Sequence, residues 1–259
     1  MSAPVYHVVH KAIATVILNK PERLNALDKA MWLRLGEIMR ELDADEAIRT
    51  VVLRGAGEKA FAAGADIAEF ATERATVAGA REYGKAIHDT MEAVGACRHP
   101  TIAMIRGACV GGGLEIASLC DLRICGESSR FGVPVAKLGL VMAYGELKGL
   151  IDLVGRPVAM EILLEGRVFG ALEAREKCLV TRVVADDRVE EEVYATAKRI
   201  AAGAPLVHRW HKQFARRLAD PRPLTPDEYD ESFAAFGTED YRRGVKAFLE
   251  KSAPDFVGE

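Results

Sequence analysis

Residues 12–19, Ala-Ile-Ala-Thr-Val-Ile-Leu-Asn, form a short β-branched run stopped by Pro21, a pattern that predicts a buried strand. Asp28 then offers an N-cap. Behind it Trp32, Leu35, Met39 and Leu42 recur at spacings of three and four, which predicts an amphipathic helix ending near Asp43. Apolar runs at 50–54, 101–106 and 122–125 predict further strands, with Gly55-Ala56-Gly57 turning the chain after the first. A weaker helical pattern covers 81–94, and a buried helix is expected over 111–119. From about residue 147 the strand signals thin out. Helices are expected at 146–154, 158–164, 171–178, 187–202 and 205–218, then a break at Pro221-Arg222-Pro223, then helices at 226–236 and 240–251. Strand, turn and helix recur without a fixed-length repeat, so the class is α/β, with a helical C-terminal third packed on the α/β body.

The chain has 259 residues, 49% of them apolar, enough for a full core. Its net charge is −3, with Lys and Arg scattered among Asp and Glu, so neither nucleic acid nor an anionic membrane is an expected partner. No apolar run approaches the ~20 residues of a membrane span, and Met1-Ser2-Ala3-Pro4 lacks the charged-then-apolar pattern of a leader. The expected location is cytoplasmic. Cys97, Cys109, Cys120, Cys125 and Cys178 form no C-x-x-C pair and have no histidine at metal-ligand spacing, so buried free thiols and no metal site are expected.

Candidate chemistry sits on two glycine-rich turns, Phe61-Ala62-Ala63-Gly64-Ala65-Asp66 and Gly107-Ala108-Cys109-Val110-Gly111-Gly112-Gly113-Leu114-Glu115. Each follows a strand-like run and offers an unencumbered backbone N–H to a ligand oxygen, so together they suggest an oxyanion hole. The second turn enters a helix, whose dipole favours negative charge at that end, and Glu115 in the first helical turn delivers a carboxylate to the same place. The plainer alternative is that the triple glycine lets a helix pack closely on a sheet and that Glu115 only complements the dipole. His208 and His211 read as surface or packed helix residues, and His88 and His99 have no better claim to chemistry.

Ala60-Phe61-Ala62-Ala63-Gly64-Ala65-Asp66-Ile67, Gly112-Gly113-Leu114-Glu115 with Cys120-Asp121, and Phe131-Gly132-Val133-Pro134 resemble the enoyl-CoA hydratase/isomerase, or crotonase, superfamily. Asn19-Lys20-Pro21, Leu24-Asn25-Ala26-Leu27 and Phe248-Leu249-Glu250-Lys251 extend the resemblance over nearly the whole chain. It implies the crotonase (ClpP-like) spiral of ββα units over 1–200 and a helical oligomerisation and pocket-covering region over 201–259. It also implies an acyl-CoA thioester as substrate, with coenzyme A entering as part of it and no separate cofactor, and a homotrimer or a hexamer of two trimers.

Residue by residue, the resemblance places Ala65 and Gly112 as the oxyanion-hole amides. Arg23 and Leu24 fall at the pantetheine and phosphates, Ala63, Asp66 and Ile67 on the loop whose backbone receives the adenine, and Phe248 and Lys251 at the coenzyme A of a neighbouring subunit. Hydratases of this family use two glutamates, one at Glu115 and one directly after the Phe-Gly-x-Pro segment, where this chain has Val135. A valine moves no proton. Tyr144 and Glu146, in a segment that lies beside the acyl group in the family, are candidates for the missing function; the alternative is that Tyr144 packs and Glu146 opens the next helix in solvent. The expected activity is of hydratase/isomerase type, through a thioester enolate with Glu115 as acid/base. Isomerisation, decarboxylation, thioester hydrolysis and non-catalytic acyl-CoA binding remain open alternatives because of Val135.

Overall fold

In a computed structural model that describes residues 3–259, the β-branched run at 12–19 is β2 (Ile13–Leu18), with all six side chains buried. It pairs antiparallel with β1 (Val5–His10), which the sequence pattern did not announce because only Val5 of that edge strand is buried. Asp28 caps α1 (Lys29–Ala44) by accepting the Met31 N–H at 2.8 Å, and the expected face of Trp32, Leu35, Met39 and Leu42 is buried.

Three successive turns of the chain then repeat one plan. A long strand, β3 (Thr50–Gly55), leads into a short one, β4 (Ala60–Ala62), and into a helix, α2 (Val77–Ala96). The second turn is β5 (Thr101–Ile105), β6 (Ala108–Val110) and α3 (Gly112–Leu119). The third is β7 (Leu122–Gly126), β8 (Arg130–Gly132) and α4 (Tyr144–Glu165). The chain goes on through β9 (Phe169–Gly170), α5 (Ala171–Glu176) and β10 (Arg182–Val184). The long strands and β10 form one sheet in the order β1-β2-β3-β5-β7-β10, parallel from β2 onward, and the other short ones form a second in the order β4-β6-β8-β9. This is the expected ββα spiral.

The parallel sheet is covered on both faces, as such sheets must be. One face packs into the main core with Trp32, Leu35, Met39, Phe61 and Phe131. The other packs through Val52, Ile102, Met104 and Ile124 against Val189, Val193 and Ala197 of α6 (Val189–Ala201). α4 carries the expected interruption: Gly155 has φ 75 and ψ 157, and Pro157 follows, so the element is two helical segments meeting at a bend. α7 (Pro205–Leu218), α8 (Pro226–Asp230) and α9 (Glu239–Glu250) supply the helical C-terminal region.

Differences from the sequence reading are local. α2 starts earlier than residue 81, because Thr76 caps it by accepting the Gly79 N–H at 3.1 Å. The helix expected over 226–236 breaks after Asp230 and continues as a 3₁₀ stretch, Glu231–Gly237. The strands of two or three residues, β10 among them, are too short to show a period. Four cysteines are buried and free as expected, but Cys178 is exposed, at a helix end with φ 58. Among the described residues no helix is long and apolar enough to cross a membrane.

Candidate active site

Parallel pairing of β4 with β6 brings the two glycine-rich turns side by side. At Gly64 (φ +104) a Cβ would stand 3.3 Å from the Val110 carbonyl oxygen and 3.9 Å from the Gly112 nitrogen; at Gly111 (φ +51) it would stand 3.6 Å from the Gly64 Cα. The positive φ angles and this close approach together call for glycine. Leu27 clamps the first turn from outside: its N–H donates to the Gly64 carbonyl and its carbonyl accepts the Asp66 N–H, both at 2.8 Å. Between those two bonds the Ala65 N–H donates to no group among the described residues. The Gly112 N–H, first of α3, likewise has no acceptor there, as expected of a helix N-terminus.

Gly113 has a different task. A Cβ there would run into the Ala62 carbonyl oxygen and lie 2.9 Å from the Ala62 Cβ. The packing role and the ligand role of the triple glycine are therefore both present, on different residues.

The turns open on a cavity of about 290 Å³, walled on its apolar side by Ile67, Phe70, Val135, Leu138 and Met142. Three charged side chains line it: Glu115, Glu146 and Arg74. Enclosure pushes the Glu115 carboxyl up to about 7, the neighbouring Glu146 adds to the rise, and Arg74 opposes it. Glu146 is 8% exposed and lies in the first turn of α4; its Oε2 is buried without a hydrogen-bond partner among the described residues. Arg74 stacks 4.4 Å from the Phe70 ring centroid and 5.1 Å from that of Tyr83, with no carboxylate in ion-pair range among the described residues.

Tyr144 does not join this group. It is 94% exposed and lines no part of the cavity, since residues two apart on a helix face different ways. Ala63 and Ile67 line the cavity beside Ala65. Arg23 and Leu24 lie on the surface nearby, with the Leu24 carbonyl accepting the Ala63 N–H at 3.0 Å. The Asp66 side chain is already committed. It accepts the Ala68 N–H at 3.2 Å and pairs with Lys20 at 2.8 Å, which holds its carboxyl below the usual carboxylate range. Phe248, 83% exposed, and Lys251 sit on and just after α9; Phe248 lines a separate hollow with Val207, Tyr241 and Phe256, so these two are not brought to the cavity of their own chain.

The histidines lie elsewhere. His99 is buried with Nε2 3.0 Å from the Leu42 carbonyl oxygen, and burial pushes it down to about 4. His208 and His211 line a larger cleft of about 630 Å³ near the C-terminal end of α3, with Ser118, Asp121 and Lys212. His88 lies beside Gly145, outside the cavity.

The family model for enoyl-CoA hydratase/isomerase matches residues 9–259. The chain belongs to the enoyl-CoA hydratase/isomerase family of enzymes. The crystal structure of an enoyl-CoA hydratase/carnithine racemase from Magnetospirillum magneticum is similar to it at a TM-score of 0.98 and 50% identity, covering 100% of this chain and 97% of that one. That of an enoyl-CoA hydratase from Bacillus anthracis aligns at a TM-score of 0.93 and 31% identity, over 99% of this chain and 100% of the other. Among curated relatives, the crotonyl-CoA hydratase of Syntrophomonas wolfei is 32% identical over 247 residues, 95% of this chain and 94% of that protein. Within this hydratase/isomerase frame the cavity wall holds Val135, and the only glutamates lining the cavity among the described residues are Glu115 and Glu146.

Proposed function

We propose that the cavity takes the thioester end of an acyl-CoA and that the enzyme acts by stabilising a thioester enolate. The observation that carries this reading is the meeting of two unspent backbone donors, Ala65 and Gly112, beside the raised carboxyl of Glu115. Rigid amides of this kind contribute about 3 kcal/mol each to an oxyanion transition state, and a positioned carboxyl group roughly 10²–10⁴ in rate. About 290 Å³ suits a short acyl group and the thioester but not a whole coenzyme A. The nucleotide arm therefore runs outside, over Arg23, Leu24 and the backbone of Ala63, Asp66 and Ile67. Phe248 and Lys251 are proposed to serve the coenzyme A of a neighbouring subunit in a homotrimer or hexamer, with the 201–259 region as the assembling part.

Glu115 then removes or returns the proton at the carbon beside the thioester while the carbonyl oxygen holds the charge. Glu115→Gln is expected to lower turnover of a short 2-enoyl-CoA at least about a hundredfold while leaving acyl-CoA affinity within about threefold. Unchanged turnover removes Glu115 from the mechanism. Val135 favours a second reading in which Glu115 alone carries a proton from one carbon to another, a double-bond isomerisation; analysis of the products by mass and by double-bond position separates the two.

A further inference from the structure

We infer that Glu146 is the second proton-transfer group of this site, so that water addition to a 2-enoyl thioester is handled by two carboxyl groups carried on the first turns of two different helices. The inference rests on the acyl thioester reading of the cavity and names the reaction class within it. It starts from an energetic oddity. A carboxylate oxygen enclosed without a donor is costly, because it has lost water and gained nothing in return. Glu146 Oε2 is in that position, while the side chain lines the same cavity as Glu115, among Val135, Leu138 and Met142. Most long acidic side chains that open a helix turn toward solvent, and the neighbouring Tyr144 at the start of the same helix does stand exposed. Glu146 instead lines the cavity with Glu115, one of its carboxyl oxygens left unpaired in the wall.

The surrounding charges fit a paired role. Glu115 on α3 and Glu146 on α4 are acidic, and Arg74, in the segment before α2, is the one basic side chain in the wall among the described residues. His88 of α2 stands outside, against Gly145. The single positive charge of Arg74 faces two acidic side chains, and enclosure together with the neighbouring Glu146 raises the Glu115 carboxyl to about 7, so near neutral pH Glu115 still holds a proton to give. Addition across a double bond needs one group to take a proton and one to give it, and two carboxyl groups in one wall supply both. The water oxygen bonds to Cβ as one carboxylate takes its proton, and the C=C electron pair moves to leave negative charge on the thioester oxygen between the Ala65 and Gly112 amides. The other carboxyl group then protonates Cα as the carbonyl re-forms. One water is consumed and nothing is oxidised.

The test uses the full chain with crotonyl-CoA, following the 3-hydroxyacyl product, and a non-reactive saturated acyl-CoA to measure affinity. Glu146→Gln is expected to lower hydration roughly a hundredfold, keep affinity within about threefold, and remove one limb of the pH profile of kcat/KM. Because Val135 lines the same cavity, Val135→Glu placed in a Glu146→Ala background is expected to recover at least tenfold over Glu146→Ala alone. Hydration lowered less than about tenfold in Glu146→Gln, or a wild-type enzyme that yields only a double-bond isomer, overturns the inference. Loss of activity in Glu115→Gln with full activity in Glu146→Gln removes Glu146 alone. Failure of the wild type to bind either thioester removes the acyl-CoA reading itself.

Discussion

The two ends of α3 make an instructive pair. Near its C-terminus lies the larger hollow, about 630 Å³, and near its N-terminus the smaller, about 290 Å³. In the larger one, Asp121 has found its partners: it accepts the Thr101 N–H at 2.7 Å, the Thr101 hydroxyl at 2.9 Å and the Lys212 ammonium at 2.6 Å. In the smaller one the Ala65 and Gly112 amides and a Glu146 oxygen have no partner among the described residues. Size therefore misleads and satisfaction informs. Rigid donors and an enclosed carboxyl oxygen left unpaired in one place are what the proposed acyl-CoA reading draws on.

Three experiments break or sharpen this contrast. The largest effect is expected from Gly113→Ala, whose Cβ would meet the Ala62 carbonyl and push α3 off β4. It should cost about 3 kcal/mol in chemical denaturation and take turnover down with it, because the Gly112 amide moves. Stability near wild type would show that the close approach is not needed. Next comes Asp121→Ala, at the satisfied end. It should cost about 1–2 kcal/mol of stability, discounted for the exposure of its Lys212 pair, while turnover per folded molecule stays as it was. A matching loss of kcat would erase the difference between the two hollows.

The smallest effect is a pH dependence. Below the ordinary glutamate value near 4.5 Glu115 is protonated in folded and unfolded chains alike, and it weighs on neither. From about 4.5 to about 7 the unfolded chain gives up this proton while the folded chain keeps it, so stability is lost across that window and stays lost above it. Glu115→Gln should therefore gain on the order of 1 kcal/mol over wild type at pH 8 and nothing at pH 4, read as the difference in Tm between the two buffers. An equal gain at both pH values would separate the effect from ionisation.

Much of this was legible in the sequence, and the reasons are specific. The buried strands β2, β3, β5 and β7 and helix α1 announce themselves by their apolar pattern, and the glycine turns by residue type, since only glycine reaches the φ values of Gly64 and Gly111 without strain. Glu115 follows from its place three residues after Gly112. Glu146 stood undecided between cavity and solvent, because a helix start fixes which residues share a face but not where that face points; the packing of α4 on α3 decides it. Helix geometry did allow one step more: Tyr144 and Glu146, two apart, do not share a face. Arg74 left no signal at all. It lies in a polar, aperiodic stretch, and its place in the cavity comes from stacking on Phe70 and Tyr83, a contact made only in three dimensions.

The bend at Gly155 separates two duties within α4. Both segments are anchored in the core, by Leu150 before the bend and by Ala159 and Ile162 beyond it, and the first segment also presents Glu146 to the cavity. Unbroken helix would force the segment that carries the acid to follow the axis of the distal one, whereas the jointed form lets it take its own line between core and cavity.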